Sequence, residues 1–401
     1  MREEKADFRA DGLHFTAHLF YLCSSFATRV PAMSRHENPT PPPGAGLMPG
    51  ARVRARGADS NEAGRYEALS RETADDGWDL PHDEELVTTE VRLERPRSAL
   101  TRNRSPDIGF DRSINPYRGC EHGCTYCFAR PSHAYLNLSP GLDFETKLIA
   151  RPGIGAVLDR ELRSKSYRVA PVALGTNTDP YQPIEAKHRV MREVVEVLAA
   201  FRHPLTIVTR GTLIERDLDL LAPMAAQGLL KVGITVTTLD AGLARRMEPR
   251  APAPARRMAV IRRLSEAGIP VRLMLAPVIP GLTDHEMEAL LTEAKAAGAS
   301  SASWIMLRLP MEVAPLFRDW LERAAPGRAA KVLARIRDVH GGRDYDPSWG
   351  KRMRGEGLWS RLIHERFRKA VARLELDTQL PPLRTDLFAP PFARGDQLGL
   401  F

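Results

Sequence analysis

The sequence predicts an α/β protein: a partial (βα)6 barrel of the TIM type, with an irregular N-terminal arm before it and a loop-and-helix extension after it. Three observations predict this. Apolar, strand-like runs occur at 169–174, 205–208, 229–236, 271–276 and 303–307, with helical periodicity between them. Three of those helices end alike, in Gln227-Gly228, Ala267-Gly268 and Ala297-Gly298, and a left-handed glycine stops a helix and turns the chain into a sheet. Strands and helices that alternate through such short connections form a parallel sheet with helices outside. With one further strand ahead of the first helix there are six βα units over 110–340, too few for a closed eight-stranded barrel. In an open one the chemistry still belongs at the C-terminal ends of the strands.

Residues 1–105 make a poor core: 38–50 is rich in Pro and Gly, and 52–76 mixes charges and small residues without a period. Such composition reads as disordered or as an arm wrapped on a later domain. Met33 is an alternative start, which would make 1–32, with Cys23, dispensable. Residues 87–93 alternate enough for a short strand, and 92–104 is a basic approach to the cysteine-bearing segment. Within the barrel (106–340), 187–201 places Val190, Val194, Leu198 and Phe201 on one helical face, and Thr283 with Glu286 is spaced as a capping box opening a helix over 284–297. From Gly341 to Gly357 the chain is a Gly- and Arg-rich loop, 359–374 is an amphipathic helix, and the end of the 341–401 extension returns to Pro and Gly.

The chain has 401 residues, 43% hydrophobic and 27% charged, enough for a substantial core, with a formal net charge of +8 carried mostly by arginine. Arginine suits phosphate contacts, and clusters at 95–104, 245–263 and 351–354 can track a nucleic-acid backbone or simply present solvated faces. Aromatic residues are only 6%, so base-stacking platforms are not advertised. No stretch reaches the roughly 18–20 apolar residues that span a bilayer, and the brief apolar run 19–27 follows an acidic segment, unlike a secretory signal. Three of four cysteines are clustered, which is thiol usage for a metal or catalyst in a reducing, cytoplasmic compartment rather than a disulfide framework.

That cluster lies in Asn115-Pro-Tyr-Arg-Gly-Cys-Glu-His-Gly-Cys-Thr-Tyr-Cys-Phe-Ala-Arg130, where Cys120, Cys124 and Cys127 form C-x3-C-x2-C after the first strand. Gly119 and Gly123 let the loop fold back so that three thiolates converge on a soft metal centre. An iron–sulfur cube takes four cysteines, so three leave one iron open to a reactant. A zinc site completed by His122 or His133, in a nucleic-acid-binding module, is the alternative these residues leave open.

The pattern Cys120, Cys124, Tyr126, Cys127 resembles the radical S-adenosylmethionine (SAM) superfamily. More narrowly it is similar to the branch around spore photoproduct lyase, often labelled DNA repair photolyase-like. Gly175-Thr-Asn-Thr-Asp-Pro-Tyr-Gln-Pro183, Thr235-Val-Thr-Thr238, Glu248-Pro-Arg250 with Arg256-Arg257, and Val271-Arg-Leu-Met-Leu-Ala-Pro277 extend the likeness over about 110–310. The resemblance implies a 4Fe–4S cluster held by the three cysteines. Its open iron would chelate SAM, and an electron from a donor such as flavodoxin or ferredoxin would release a 5′-deoxyadenosyl radical that abstracts hydrogen from the substrate. Tyr126 stands where adenine would stack, and Ala276-Pro277 would pack on it. Asn177, Thr178 and Asp179 offer polar groups to the ammonium. Thr235 and Thr237 would reach the ribose or methionyl group, and Arg257 (or Arg256) the carboxylate.

One departure stands out. Spore photoproduct lyase returns a hydrogen to its product radical from a further cysteine downstream, and no cysteine follows Cys127 here. Tyr181, or Tyr135, could then stand in as hydrogen donor, with a buried structural tyrosine as the reading preferred on the residues alone. The expected substrate is nucleic acid, DNA or RNA, with a peptide, lipid or small molecule as the rival. Finally, Gln397-Leu-Gly-Leu-Phe401 resembles the short peptide by which repair enzymes dock on the bacterial sliding clamp, although Gly399 replaces the usual small polar or acidic residue.

Overall fold

Six parallel strands carry the architecture of the computed structural model, which describes residues 56–67 and 87–392. They are β1 (Arg112–Ile114), β2 (Val172–Leu174), β3 (Leu205–Thr209), β4 (Leu230–Thr235), β5 (Val271–Val278) and β6 (Ser301–Met306). They pair in sequence order, so each lies beside its predecessor, and β1 and β6 do not meet. The barrel is therefore open, as expected from its six units. On its β1 edge the short strand Leu100–Arg102 adds antiparallel, pairing Leu100 with Ile114. Every residue of β6 and nearly all of β4 are buried, which is why these strands read as continuous apolar runs and not as alternation.

The helices lie between the strands: α1 (Ile154–Leu162), α2 (Val190–Ala200), α3 (Leu218–Ala226), α4 (Ala241–Met247), α5 (Pro254–Glu266) and α6 (Met287–Ala296), then α7 (Val313–Ala324), α8 (Pro326–Val339) and α9 (Gly357–Arg373) after β6. Their inner faces, such as Val190, Val194 and Leu198, join Ile207, Val232 and Leu273 in one core. Gly228, Gly268 and Gly298 all adopt positive φ, so the three expected helix stops are present.

Two local expectations are corrected. The periodic stretch 187–201 is not one helix. A turn of helix at Glu185–His188 ends at Arg189, with φ 53°, before α2 begins. The cause is Glu185, buried, whose Oε2 accepts from Tyr117 Oη and from Met191 N at 3.0 Å. Similarly, Thr283 and Glu286 form no capping box. Thr283 Oγ1 accepts from Ile279 N at 3.0 Å, and Glu286 is drawn away to Thr238 Oγ1 at 2.7 Å, so a 3-10 turn, Asp284–Glu286, precedes α6.

Segments flanking the barrel fill its open lumen. Ile108, Phe110 and Met353 pack there on Ala173, Met274, Ala276 and Ile305. A buried ion pair, Arg352 Nε to Asp107 Oδ2 at 2.7 Å, ties the two plugs together. Glu90–Leu93 pairs with Lys147–Ala150, which pairs with Tyr117–Arg118 at the root of the cysteine loop. Cys23, Met33 and the peptide ending in Phe401 lie outside the described residues.

Candidate active site at the cysteine loop

The loop leaves β1 at Ile114 and is pinned from four sides. Cys120 N donates to Phe144 O at 2.9 Å, Glu121 N to Gln182 Oε1 at 2.8 Å, Thr125 N to Met247 O at 3.0 Å, and Arg250 N to His122 O at 3.2 Å. Both glycines sit in the left-handed region. A Cβ on Gly119 would lie 2.6 Å from Leu148 Cδ2 and 2.9 Å from Phe144 O, and one on Gly123 would lie 2.6 Å from Glu145 Oε2. The fully buried Arg130 completes the support: its Nε donates to Cys124 O at 3.0 Å, its Nη1 to Gly141 O at 2.8 Å, and its Nη2 to Glu145. Glu145 in turn accepts from Gly57 N and Ala58 N, each at 2.9 Å, so the arm is fastened beneath the loop.

Cys120, Cys124 and Cys127 are free thiols lining one cavity. Around it stand the C-terminal ends of five strands: Asn177 and Asp179 beyond β2, Thr209 and Arg210 at β3, Thr235 of β4, Ala276 and Pro277 of β5, and Met306 and Arg308 at β6. This is the rim on which such barrels place their chemistry.

Of the residues singled out in the sequence, the fold brings Tyr126, Asn177, Asp179, Thr235 and Ala276 to this cavity beside the cysteines. The others have different places. Thr178 Oγ1 donates to Tyr117 O at 2.9 Å, holding the loop's root. Thr237 Oγ1 donates to Glu248 Oε1 at 2.9 Å. Arg257 spends its guanidinium on Pro252 O, Thr235 O and Glu248, and Arg256 pairs with Glu215 on the surface. Neither candidate hydrogen-donor tyrosine lines the cavity. Tyr181 Oη donates to Asp217 at 3.0 Å inside the helix-facing core, and Tyr135, half exposed, packs on Tyr66 with ring centroids 5.3 Å apart.

Three important groups escaped the sequence reading. Arg210 places Nη1 3.0 Å from Cys124 Sγ and 2.8 Å from Glu248 Oε1. It directly follows a strand, and the strand-end rule would have found it. Glu248 opens the Glu248-Pro-Arg250 segment, yet its role appears only in three dimensions, where Tyr126, Arg210, Thr237 and Arg257 converge on its carboxylate. Arg308, two residues beyond β6, lies over the Phe128 ring at 4.9 Å on the cavity wall.

The electrostatics follow from burial and these pairings. Burial alone would raise Glu248, but Arg257 and Arg210 hold its carboxyl down to about 2. Asp179 is likewise opposed by burial and brought down to about 2, chiefly by His122, whose Nδ1 lies 3.4 Å from Oδ2, with help from Thr209 and Arg210 N. Burial pushes the Cys124 thiol up to about 12, with Arg210 pulling the other way, and raises Cys120 and Cys127 as well.

These residues fit an iron–sulfur cluster. A guanidinium directed at Cys124 sulfur suits a thiolate, the form that binds iron. Among the described residues no three His, Cys, Asp or Glu side chains group closely enough for a single ion. Three thiols lining one cavity supply the ligand number of a cluster with one open iron, each bound iron taking its own thiolate.

The model of the radical SAM superfamily matches residues 114–294. An uncharacterized protein of Mycobacterium tuberculosis is 38% identical over 299 residues, covering 73% of this chain and 86% of that one. Another, from Methanocaldococcus jannaschii, is 27% identical over 173 residues, 43% and 62% of the two chains. Among solved structures, spore photoproduct lyase complexed with dinucleoside spore photoproduct superposes with TM-score 0.52 at 16% identity, over 71% of this chain and 79% of that one. A mutant of the same lyase with bound AdoMet and the dinucleoside gives 0.51 at 15%, with the same coverage. The chain belongs to the radical SAM superfamily. It is an enzyme of that superfamily, with the superfamily's 4Fe–4S cluster and SAM as its cofactors. Among the described residues no helix is long and apolar enough to cross a membrane.

Proposed function

We propose that this enzyme performs radical SAM chemistry on nucleic acid, by a route that resembles DNA repair. When bound, the cluster supplies the electron that cleaves SAM and so starts hydrogen abstraction from the substrate. Cys120, Cys124 and Cys127 would hold it, with Arg210 steadying the Cys124 thiolate. Asn177 and Asp179 offer acceptors for an ammonium, and Thr235, Ala276 and Tyr126 bound the remaining space. The buried Glu248 fixes Tyr126 and Arg210 by accepting from both, so the wall needs little reorganisation when the site fills.

The observation that carries the nucleic-acid reading is the Arg308–Phe128 cation–π pair in the same cavity as the thiols. A cation 4.9 Å from the centre of an aromatic ring puts a charge for a phosphate beside a π surface for a base. The net charge of +8 supports it, and so does the dinucleoside bound by the structural neighbour. No cysteine follows Cys127 in this sequence, which speaks against return of hydrogen to the product from a cysteine downstream of the cluster motif. The clustered free thiols support a reducing, cytoplasmic setting with a flavodoxin- or ferredoxin-like donor. Clamp docking through the C-terminal peptide remains a proposal from sequence; a pull-down unchanged by deleting the last five residues refutes it.

The test is anaerobic titration of the reconstituted enzyme with single- and double-stranded DNA and RNA across a salt series. Binding that weakens linearly in log–log form with salt, and that accelerates 5′-deoxyadenosine formation, supports the reading. Absence of binding at low salt, with cleavage stimulated by a peptide or small molecule instead, refutes it.

A further inference from the structure

A second cavity opens at the opposite, N-terminal end of the barrel. It shares Val208 and Ile305 with the cysteine cavity. Its walls are mostly apolar, including Phe110, Met274 and Leu380. Two cations stand among them: Lys231, second residue of β4, and Arg272, second residue of β5. Arg272 pairs across the sheet with Gly233, two residues along from Lys231, so the two belong to neighbouring strands on one side of the sheet.

Neither cation is balanced. No aspartate or glutamate lines the cavity, and among the described residues no carboxylate acts on either group. Asp111, on the adjoining surface pocket, is committed to Arg112 and Arg102. Lys231 Nζ donates to Leu380 O at 3.1 Å. Arg272 donates through Nε to Ser301 Oγ at 3.0 Å and through Nη2 to Thr378 O at 3.2 Å. Both heads thus keep unused N–H groups, and both are half buried, where an uncompensated charge is costly. Burial and the neighbouring Arg272 bring the Lys231 ammonium down to about 8, the direction expected of a cation without a counter-ion.

We propose that this lower cavity is a binding site for a small organic oxyanion, gripped by Lys231 and Arg272 with its apolar body against Phe110 and Met274. The remaining N–H groups of an arginine beside a lysine are the chemistry that takes a phosphate or a carboxylate. This site rests on the barrel floor and is independent of the cysteine loop.

The test is calorimetric titration of the full-length protein with butyl phosphate, inorganic phosphate and hexanoate. Saturable binding is expected, with butyl phosphate or hexanoate at least about tenfold tighter than inorganic phosphate, and the tighter of the two tells a phosphate from a carboxylate ligand. Lys231→Met and Arg272→Met each weaken it at least about tenfold, whereas Lys231→Arg stays within a few-fold. Unchanged thermal transitions of the variants without probe show that the loss is of binding, not fold. Two results overturn the proposal: no saturable binding by wild type at concentrations on the order of 10 mM, or binding untouched in the double Met variant, which would place the anion elsewhere.

Discussion

Arg130 and Glu145 form a fully buried ion pair beneath the cysteine loop, and the same guanidinium reaches up to the Cys124 carbonyl. Removing one partner of such a pair strands the other charge, at a cost of about 3–5 kcal/mol. Glu145→Gln and Arg130→Met are therefore expected to lower the thermal midpoint and to release iron from the reconstituted protein far faster than wild type. Iron retention on a desalting column, alongside melting curves, checks both.

The two loop glycines differ from glycines that merely turn the chain. Gly119→Ala meets Leu148 and the Phe144 carbonyl, on top of the strain of φ +75°, and is expected to cost more than the roughly 1–3 kcal/mol of strain alone. Gly153→Ala has a similar φ, +78°, and nothing within 4 Å, so it carries the strain cost only. Chemical denaturation of the pair reads the difference, and equal costs would contradict the packing described for the loop.

Glu248 and Asp179 give the fold an acid-sensitive site. Both carboxyls titrate lower in the folded protein than in the unfolded chain. Their contribution to stability is therefore complete above about pH 4.5 and is lost as pH falls toward about 2. Glu248→Gln removes the larger network and is expected to flatten this acid limb. Unfolding free energy measured between pH 6 and the acid transition tests it, and a limb unchanged in the variant contradicts the assignment.

Arg210 links this network to the cluster ligand. Loss of a cationic N–H donor from a thiolate lowers the reduction potential of an iron–sulfur cluster. Arg210→Met is expected to keep its iron, to show a more negative cluster potential, and to cleave SAM more slowly. An anaerobic redox titration followed by electron paramagnetic resonance reads the potential independently of turnover.

Much of this was legible in the sequence, for identifiable reasons. The strands of the barrel are buried on both faces, so their apolar runs stand out, and the glycine stops are local backbone events. The cysteine loop is equally local: three ligands and two obligatory glycines lie within nine residues of chain. What could not be read is whatever depends on partners distant in sequence. Glu185 breaks a periodic helix because Tyr117 needs an acceptor, and Thr283 abandons its cap for Ile279. Arg257, expected at the SAM carboxylate, instead neutralises Glu248. Tyr181 is turned to Asp217 because a buried hydroxyl takes its nearest acceptor. A motif gives the elements that reach a site, and only packing decides which side chains face it.

The most direct measurement is anaerobic reconstitution with iron and sulfide, followed by assay of 5′-deoxyadenosine from SAM under reduction, for wild type and for Cys120→Ala, Cys124→Ala and Cys127→Ala. A brown, SAM-cleaving wild type, with cluster and cleavage lost in all three variants, is the predicted result. A colourless protein with one bound zinc and no 5′-deoxyadenosine, or full activity in any one variant, would contradict the assignment of the three thiols to a radical-generating cluster.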